Sequence, residues 1–289
     1  MANRKEIRNR ITSVASTMQI TSAMKMVSAA KLKKAQDGIT QMRPYSEKLQ
    51  EILSNLTSSL DMSENQYSQN REVKNVLIVA VTSNRGLCGA FNNNIIKSTN
   101  QYMKDNPGEN VQVIGLGKKA QDAYKRADFY HSDYPEDLTK VYDDIKFENI
   151  EHFGEYLMES YKEGKFDKIL VFYNRFKNAA TQIVMNEQFL PVEQAESEEK
   201  STTADYIFEP SKEEIVDELI PKSLKTQLYK AVLDSWASEH GARMTAMHKA
   251  TDNADALKKE LTLSYNKARQ AAITNEILEI VGGAEALNN

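Results

Sequence analysis

Cysteine is nearly absent from this chain: Cys88 is the single thiol in 289 residues. A disulfide within the chain is excluded, as is a metal site built from cysteines, and the usage fits a reducing compartment. Long apolar runs are also missing. No stretch approaches the roughly 18 apolar residues of a membrane span. The opening MANRKEIRNR has no apolar core behind it, so a signal peptide is not expected. The chain is expected to be soluble or peripheral to a membrane. Histidine is scarce, and His131, His152, His240 and His248 form no ligand pattern. His240 and His248 share a helical face but stand over two turns apart. No catalytic triad, paired-carboxylate site or metal cluster is legible. Residues distant in sequence can still converge, so an enzyme is disfavoured and not excluded. Strong positive charge is lacking as well, since the net charge is −4, and nothing global suggests nucleic acid.

What is present is length enough for one large or two ordinary domains and an uneven distribution of charge. Residues 1–36 carry eight bases and one acid, whereas residues 187–218 carry eleven acids and two bases. The ends and the middle are therefore expected to meet different partners. The basic N-terminal segment could serve nucleic acid, an anionic membrane or an acidic protein. It has no aromatic before Tyr45, so no base-stacking platform is visible.

Periodicity predicts three regions. Residues 1–60 read as one long helix with a coiled-coil seam: Ile7, Ile11, Val14, Met18, then Leu32, Ala35, Ile39, Met42, then Leu49, Leu53, Leu56, Leu60. At Thr21, Lys25 and Ser28 the apolar pattern moves to Ile20, Met24 and Val27, which predicts a phase shift. Pro44 predicts a bend, not a stop, because the pattern continues beyond it. Residues 61–75 read as a polar linker. Residues 75–192 predict an α/β domain. Val76–Val81 is a continuous apolar run, as in a strand covered on both faces. Helices are expected at 90–104, 118–127 and 148–162. Further strands are expected at 111–114, 168–173 and 181–190, the last two joined as a hairpin. Alternating strands and helices predict a mainly parallel, Rossmann-like sheet. Residues 193–204 read as an acidic mobile loop. Residues 211–289 read as a second long helix, with a bend or fresh start at Pro221. Its seam is expected along Tyr229, Leu233, Trp236, His240, Arg243, Met247, Ala250, Ala254, Leu257, Leu261, Ser264, Ala268 and Ala271. Two helices at opposite ends of the chain can pair antiparallel, and the longer one then projects past its partner. The fold class is thus an antiparallel coiled coil of terminal helices with a central α/β domain.

The projecting end, Ala268–Ala286, is rich in Ala, Ile and Val on every side. A surface helix would carry one apolar stripe and one charged face, so this end is expected to enter a socket. Just below it, Arg269 and Gln270 form a polar pair suited to grip a partner's carboxylate. The glycine-bearing turn Thr82–Gly89 follows a strand and opens a helix, where phosphates bind in α/β folds. It matches neither GxGxxG nor a P-loop, so a tight structural turn is the competing reading. Gly115-Leu116-Gly117 raises the same pair of readings.

Several segments together carry a resemblance. Ile7-Arg8-Asn9-Arg10-Ile11, Ile20–Val27, Arg43-Pro44-Tyr45, Ser83–Gly89, Ala242–Ala254 and the C-terminal Ile273, Thr274, Glu276, Glu279, Gly283 and Ala284 stand in order along the chain. The chain resembles the γ subunits of F-type ATP synthases over essentially its whole length. The resemblance implies a central rotary shaft, not an enzyme on its own, with no cofactor or metal. It implies partners in the ring of α and β subunits, the ε subunit and the membrane c ring. It implies coupling of proton flow to ATP synthesis or hydrolysis on β, and regulation of both flows. By position, Met24, Lys25, Arg269 and Gln270 would contact the catalytic ring. Ile273, Ile277, Ile280 and Val281 would form an apolar bearing tip. The implied location is the cytoplasmic face of an energy-transducing, bacterial-type plasma membrane. Photosynthetic members with a paired-cysteine insert switch by thiol chemistry, and with Cys88 alone that switch is not expected.

Overall fold

The structure is a computed structural model that describes residues 4–57, 65–69, 71–192 and 212–287. The expected acidic loop 193–204 lies outside these residues, as do Leu60 at the end of the expected N-terminal seam and 61–64 and 70 of the expected linker. The chain forms two compact units: residues 1–28 with 244–289, and residues 29–243.

The elements run α1 (Arg4–Thr57), β1 (Asn75–Val81), α2 (Phe91–Asp105), β2 (Asn110–Leu116), α3 (Lys118–Tyr124), α4 (Phe147–Lys162), β3 (Lys168–Phe176), β4 (Gln182–Leu190) and α5 (Lys212–Leu287). A short 3-10 turn at Leu138–Tyr142 precedes α4. The sheet order is β2-β1-β3-β4. β1 lies parallel to both β2 and β3, and β3 pairs antiparallel with β4 as a hairpin.

The strand β1, apolar from Val76 to Val81, is central, and its two faces alternate. Leu77, Val79 and Val81 enter one core with Phe153 and Leu157 of α4 and Leu224 and Leu228 of α5. Val76, Ile78 and Ala80 enter the other with Ile95 of α2 and Ala120 of α3. Every second residue would be polar if one face met water; here neither does. Each fully buried Leu, Ile or Val contributes about 2 kcal/mol relative to exposure. Part of the expected linker joins this core, because Tyr67 is buried and its carbonyl accepts from Val192 N–H at 2.9 Å.

Both long helices continue through their prolines: Pro44 lies inside α1 and Pro221 inside α5. The fresh start expected at Pro221 is not found, since α5 begins at Lys212. Buried Ile220, Leu224 and Leu228 anchor the helix to the core on either side of the missing N–H. Within the unit 29–243 the helices run antiparallel. Lys31 of α1 acts electrostatically on Glu239 and His240 of α5, while Arg43, further along α1, acts on the earlier Asp234.

The predicted phase shift in α1 does not occur. Thr21 and Ser28 are buried and Lys25 half-buried, while Ile20 is 60 % exposed and Val27 57 %. The four-three spacing of Ile7, Ile11, Val14 and Met18 therefore continues unbroken to Leu32 and Ala35. A one-residue shift would rotate the seam by about 100°, and the seam instead tolerates polar residues. The hydroxyls of Thr21 and Thr251 meet at 2.8 Å across it. Each also has a carbonyl of its own helix, Met18 for Thr21 and Met247 for Thr251. On α5 the expected seam residues from Tyr229 through Ala254 are all buried or half-buried, and the misses come only beyond them. Ala254, Leu261 and Ala268 are covered, but Leu257, Ser264 and Ala271 are exposed, and Lys258, Tyr265 and Ala272 take their places.

Candidate partner-contact site

The candidate site begins where α5 runs out of covering neighbours. Ala268 and Ala272 are half-buried, and every residue from Ile273 to Ala284 is exposed. This run holds Ile273, Ile277, Leu278, Ile280 and Val281, with Ile280 at 71 % exposure. The register explains the loss of cover. Thr21 faces Thr251 within this unit, and α1 begins at Arg4, so its described residues are used up near Ala268 of α5. A Cβ placed on Gly282 or Gly283 would meet nothing within 4 Å. Arg269 and Gln270 are exposed immediately before this stretch, and the Thr274 hydroxyl donates to the Gln270 carbonyl at 3.0 Å. Glu276 and Glu279 are exposed on the same stretch. Arg269, Ile273, Ile277 and Val281 follow one another at four-residue spacing, so one helical face carries a polar head and an apolar stripe. Met24 and Lys25 are half-buried on α1, and the exposed Ile20, Met26 and Val27 flank them. The sequence pattern had placed Ile20 and Val27 inside the seam; their exposure makes an apolar surface there.

The glycine-bearing turns are built differently. Arg243, buried on α5, donates to the carbonyls of Arg85 and Gly86 at 2.9 and 3.2 Å and to Glu239 at 2.6 Å. The turn thus aims carbonyls, not amides, at a buried guanidinium. Burial pushes the Glu239 carboxyl up, and Arg243 opposes that push. Neighbouring His240 is driven down to about 3 by burial, with Arg243 and Lys31 adding to the effect, so it stays neutral. Leu87, at a left-handed φ of 62° and 65 % exposed, stands at the crest of the turn. The second turn is a close approach. A Cβ on Gly117 would sit 2.1 Å from the Thr82 carbonyl oxygen, and its φ is 111°. The first amides of α3 already have protein acceptors: Lys118 donates to Asn84 Oδ1, Lys119 to the Ser83 carbonyl and Ala120 to Thr82 Oγ1. No phosphate is needed to satisfy them. The Arg243–Glu239 pair was not visible as a pair in sequence. Its signal was an acid and a base four apart on one face of a helix.

Among the described residues, no group of three or more His, Cys, Asp or Glu could hold a metal ion. Among the described residues, no helix is long and apolar enough to cross a membrane.

These features define a class: two terminal helices that pair, an α/β layer between them in sequence, and one helix end left without cover. Residues 3–287 match the family described as ATP synthase. The chain is 62 % identical to the ATP synthase gamma chain of Flavobacterium johnsoniae over 289 residues, covering all of both chains. It is 62 % identical to that of Christiangramia forsetii over 290 residues, again end to end. The chain belongs to the ATP synthase gamma chain family. Its fold is shared with a chain in the mitochondrial ATP synthase of Euglena gracilis, at a TM-score of 0.67 and 22 % identity, over 98 % of this chain and 94 % of that one. It is also shared with a chain of the central stalk and c-ring structure from Tetrahymena thermophila, at a TM-score of 0.57 and 23 % identity, over 80 % and 99 %.

Proposed function

We propose that this chain is the central rotary shaft of an F-type ATP synthase, coupling proton flow through a membrane c ring to ATP synthesis or hydrolysis on β subunits. The single observation that carries this reading is the exposed run Ile273–Ala284. Five large apolar residues stand in water at the end of a 76-residue helix. Such a patch marks a surface made for another molecule. An apolar sleeve without deep specific wells suits a tip that must turn inside it. The family membership, and relatives named as gamma chains of the synthase, support the same reading.

In this reading residues 1–60 and 211–289 serve as the shaft and residues 75–192 as the foot. Ile273, Ile277, Ile280 and Val281 form the bearing. Arg269 and Gln270 grip the α and β subunits just below it, and Met24 and Lys25 meet an acidic region of β. The foot meets the ε subunit and the c ring. The chain carries out no nucleotide chemistry itself, and its asymmetry sets the order in which the β sites change state. It regulates ATPase activity and proton flow through that contact. It sits as a peripheral subunit on the cytoplasmic face of an energy-transducing, bacterial-type plasma membrane.

The test is truncation after Lys267 in the assembled complex, reconstituted into vesicles. Coupled ATP synthesis and torque fall if the tip is a bearing. Unchanged coupling would count against it.

A further inference from the structure

The unit 29–243 contains a pocket of about 510 Å³, within the range of small-molecule sites. It lies where α1, α5 and the β3–β4 hairpin meet, and no residue of the glycine-bearing turns lines it. Four cations line it: Arg43 from α1, Arg175 and Lys177 from the hairpin, and Lys230 from α5. Among the described residues its one acid is Asp234. None of the four cations has a carboxylate of a described residue within the 4.0 Å of an ion pair. Asp234 is buried, takes the Phe176 backbone N–H, and feels Lys230 and Arg43 only as longer-range charges. Positive charge therefore exceeds negative charge around a concave space. The remaining wall is apolar, with Phe176 and Leu233.

We propose that this pocket binds a polyphosphate anion, held by Arg43, Arg175, Lys177 and Lys230. Arginine forks fit phosphate oxygens in pairs, and lysine supplies compact charge beside them. A single inorganic phosphate would leave most of the volume empty. Two sources share the chemistry, inorganic pyrophosphate and a nucleoside di- or triphosphate. The volume and the Phe176 ring favour the nucleotide, because a base gains contact with an apolar wall that pyrophosphate cannot use. The site is independent of the shaft reading, since neither the tip nor the ring contacts enter into it.

The test is titration calorimetry of the isolated full chain at low salt with ADP, pyrophosphate and adenosine. Saturable micromolar binding of ADP, at least about tenfold tighter than pyrophosphate, supports the site with a nucleotide as occupant. Equal affinity for the two supports it with inorganic polyphosphate as occupant. Arg175→Ala and Lys230→Ala are each expected to weaken ADP by about tenfold. Asp234→Asn removes the opposing charge and is expected to tighten it by several fold, a gain that a damaged fold would not give. Absence of saturable binding to ADP and pyrophosphate at millimolar concentration overturns the proposal. So does adenosine binding as tightly as ADP, or affinity unchanged in all three variants.

Discussion

The same residue types meet opposite fates in β1 and at the end of α5. Val76–Val81 is apolar and fully buried between two cores, whereas Ile273, Ile277, Ile280 and Val281 are apolar and face water. Burial is set by which neighbours the backbone brings, not by side-chain type. Isoleucine in β1 stabilises the fold, and isoleucine at the tip contributes almost nothing to it. An apolar residue retained without a folding benefit is available for contact with another surface.

That contrast can be broken or sharpened by substitution. The largest effect is expected outside both regions, at the buried ion pair. Arg243→Ala leaves Glu239 without its partner and the Arg85 and Gly86 carbonyls without donors, and should cost about 4 kcal/mol in urea unfolding. A loss under about 1 kcal/mol would mean that water replaces the guanidinium freely. Ile78→Ala in β1 should cost about 3 kcal/mol, the transfer term plus a cavity.

A pH series at Asp234 comes next. Burial raises its carboxyl from the ordinary 3.8 to about 6, against the opposing pull of Lys230 and Arg43. A native-state pKa above the unfolded one adds stability fully below 3.8, and that stability is lost as pH rises through about 6. Asp234→Asn should therefore raise stability at neutral pH by up to about 3 kcal/mol, and the gain should vanish by about pH 4. A gain independent of pH would assign the effect to packing. Thr251→Val should cost about 1 kcal/mol, because Thr21 keeps the Met18 carbonyl. The smallest effect on folding is expected at the tip. Ile280→Ala should change the melting temperature of the isolated chain by less than about 0.5 kcal/mol equivalent. A loss as large as that of Ile78→Ala would place the tip inside this chain's own core and erase the contrast.

The elements that the sequence made legible are those with a local cause. β1 announced itself by six apolar residues in a row, and the β3–β4 hairpin by its turn. The two long helices were legible from four-three spacing over many turns. Seam phase was less legible. In α1, Ile20 and Val27 look like better seam residues than Thr21 and Ser28, yet the unbroken register holds the threonine and serine inside. In α5, Leu257 and Lys258 differ by one position, and hydropathy picks the wrong one. The tip residues were named from sequence, and the structure places them at the uncovered end of α5. The pocket could not be read at all, because Arg43, Arg175 and Lys230 lie on three elements far apart in sequence.

Sequence alone determined which segments are helix and strand, that β1 is covered on both faces, and that one helix outlasts the other. These follow from residue spacing and chain length, which are local quantities. Tertiary structure decided which face of each helix is the seam and that Arg243 holds the glycine-bearing turn through its carbonyls. It also gathered four cations around one buried acid. Each of these depends on residues brought together from distant positions, where packing and charge neighbours outweigh the intrinsic preference of any one side chain.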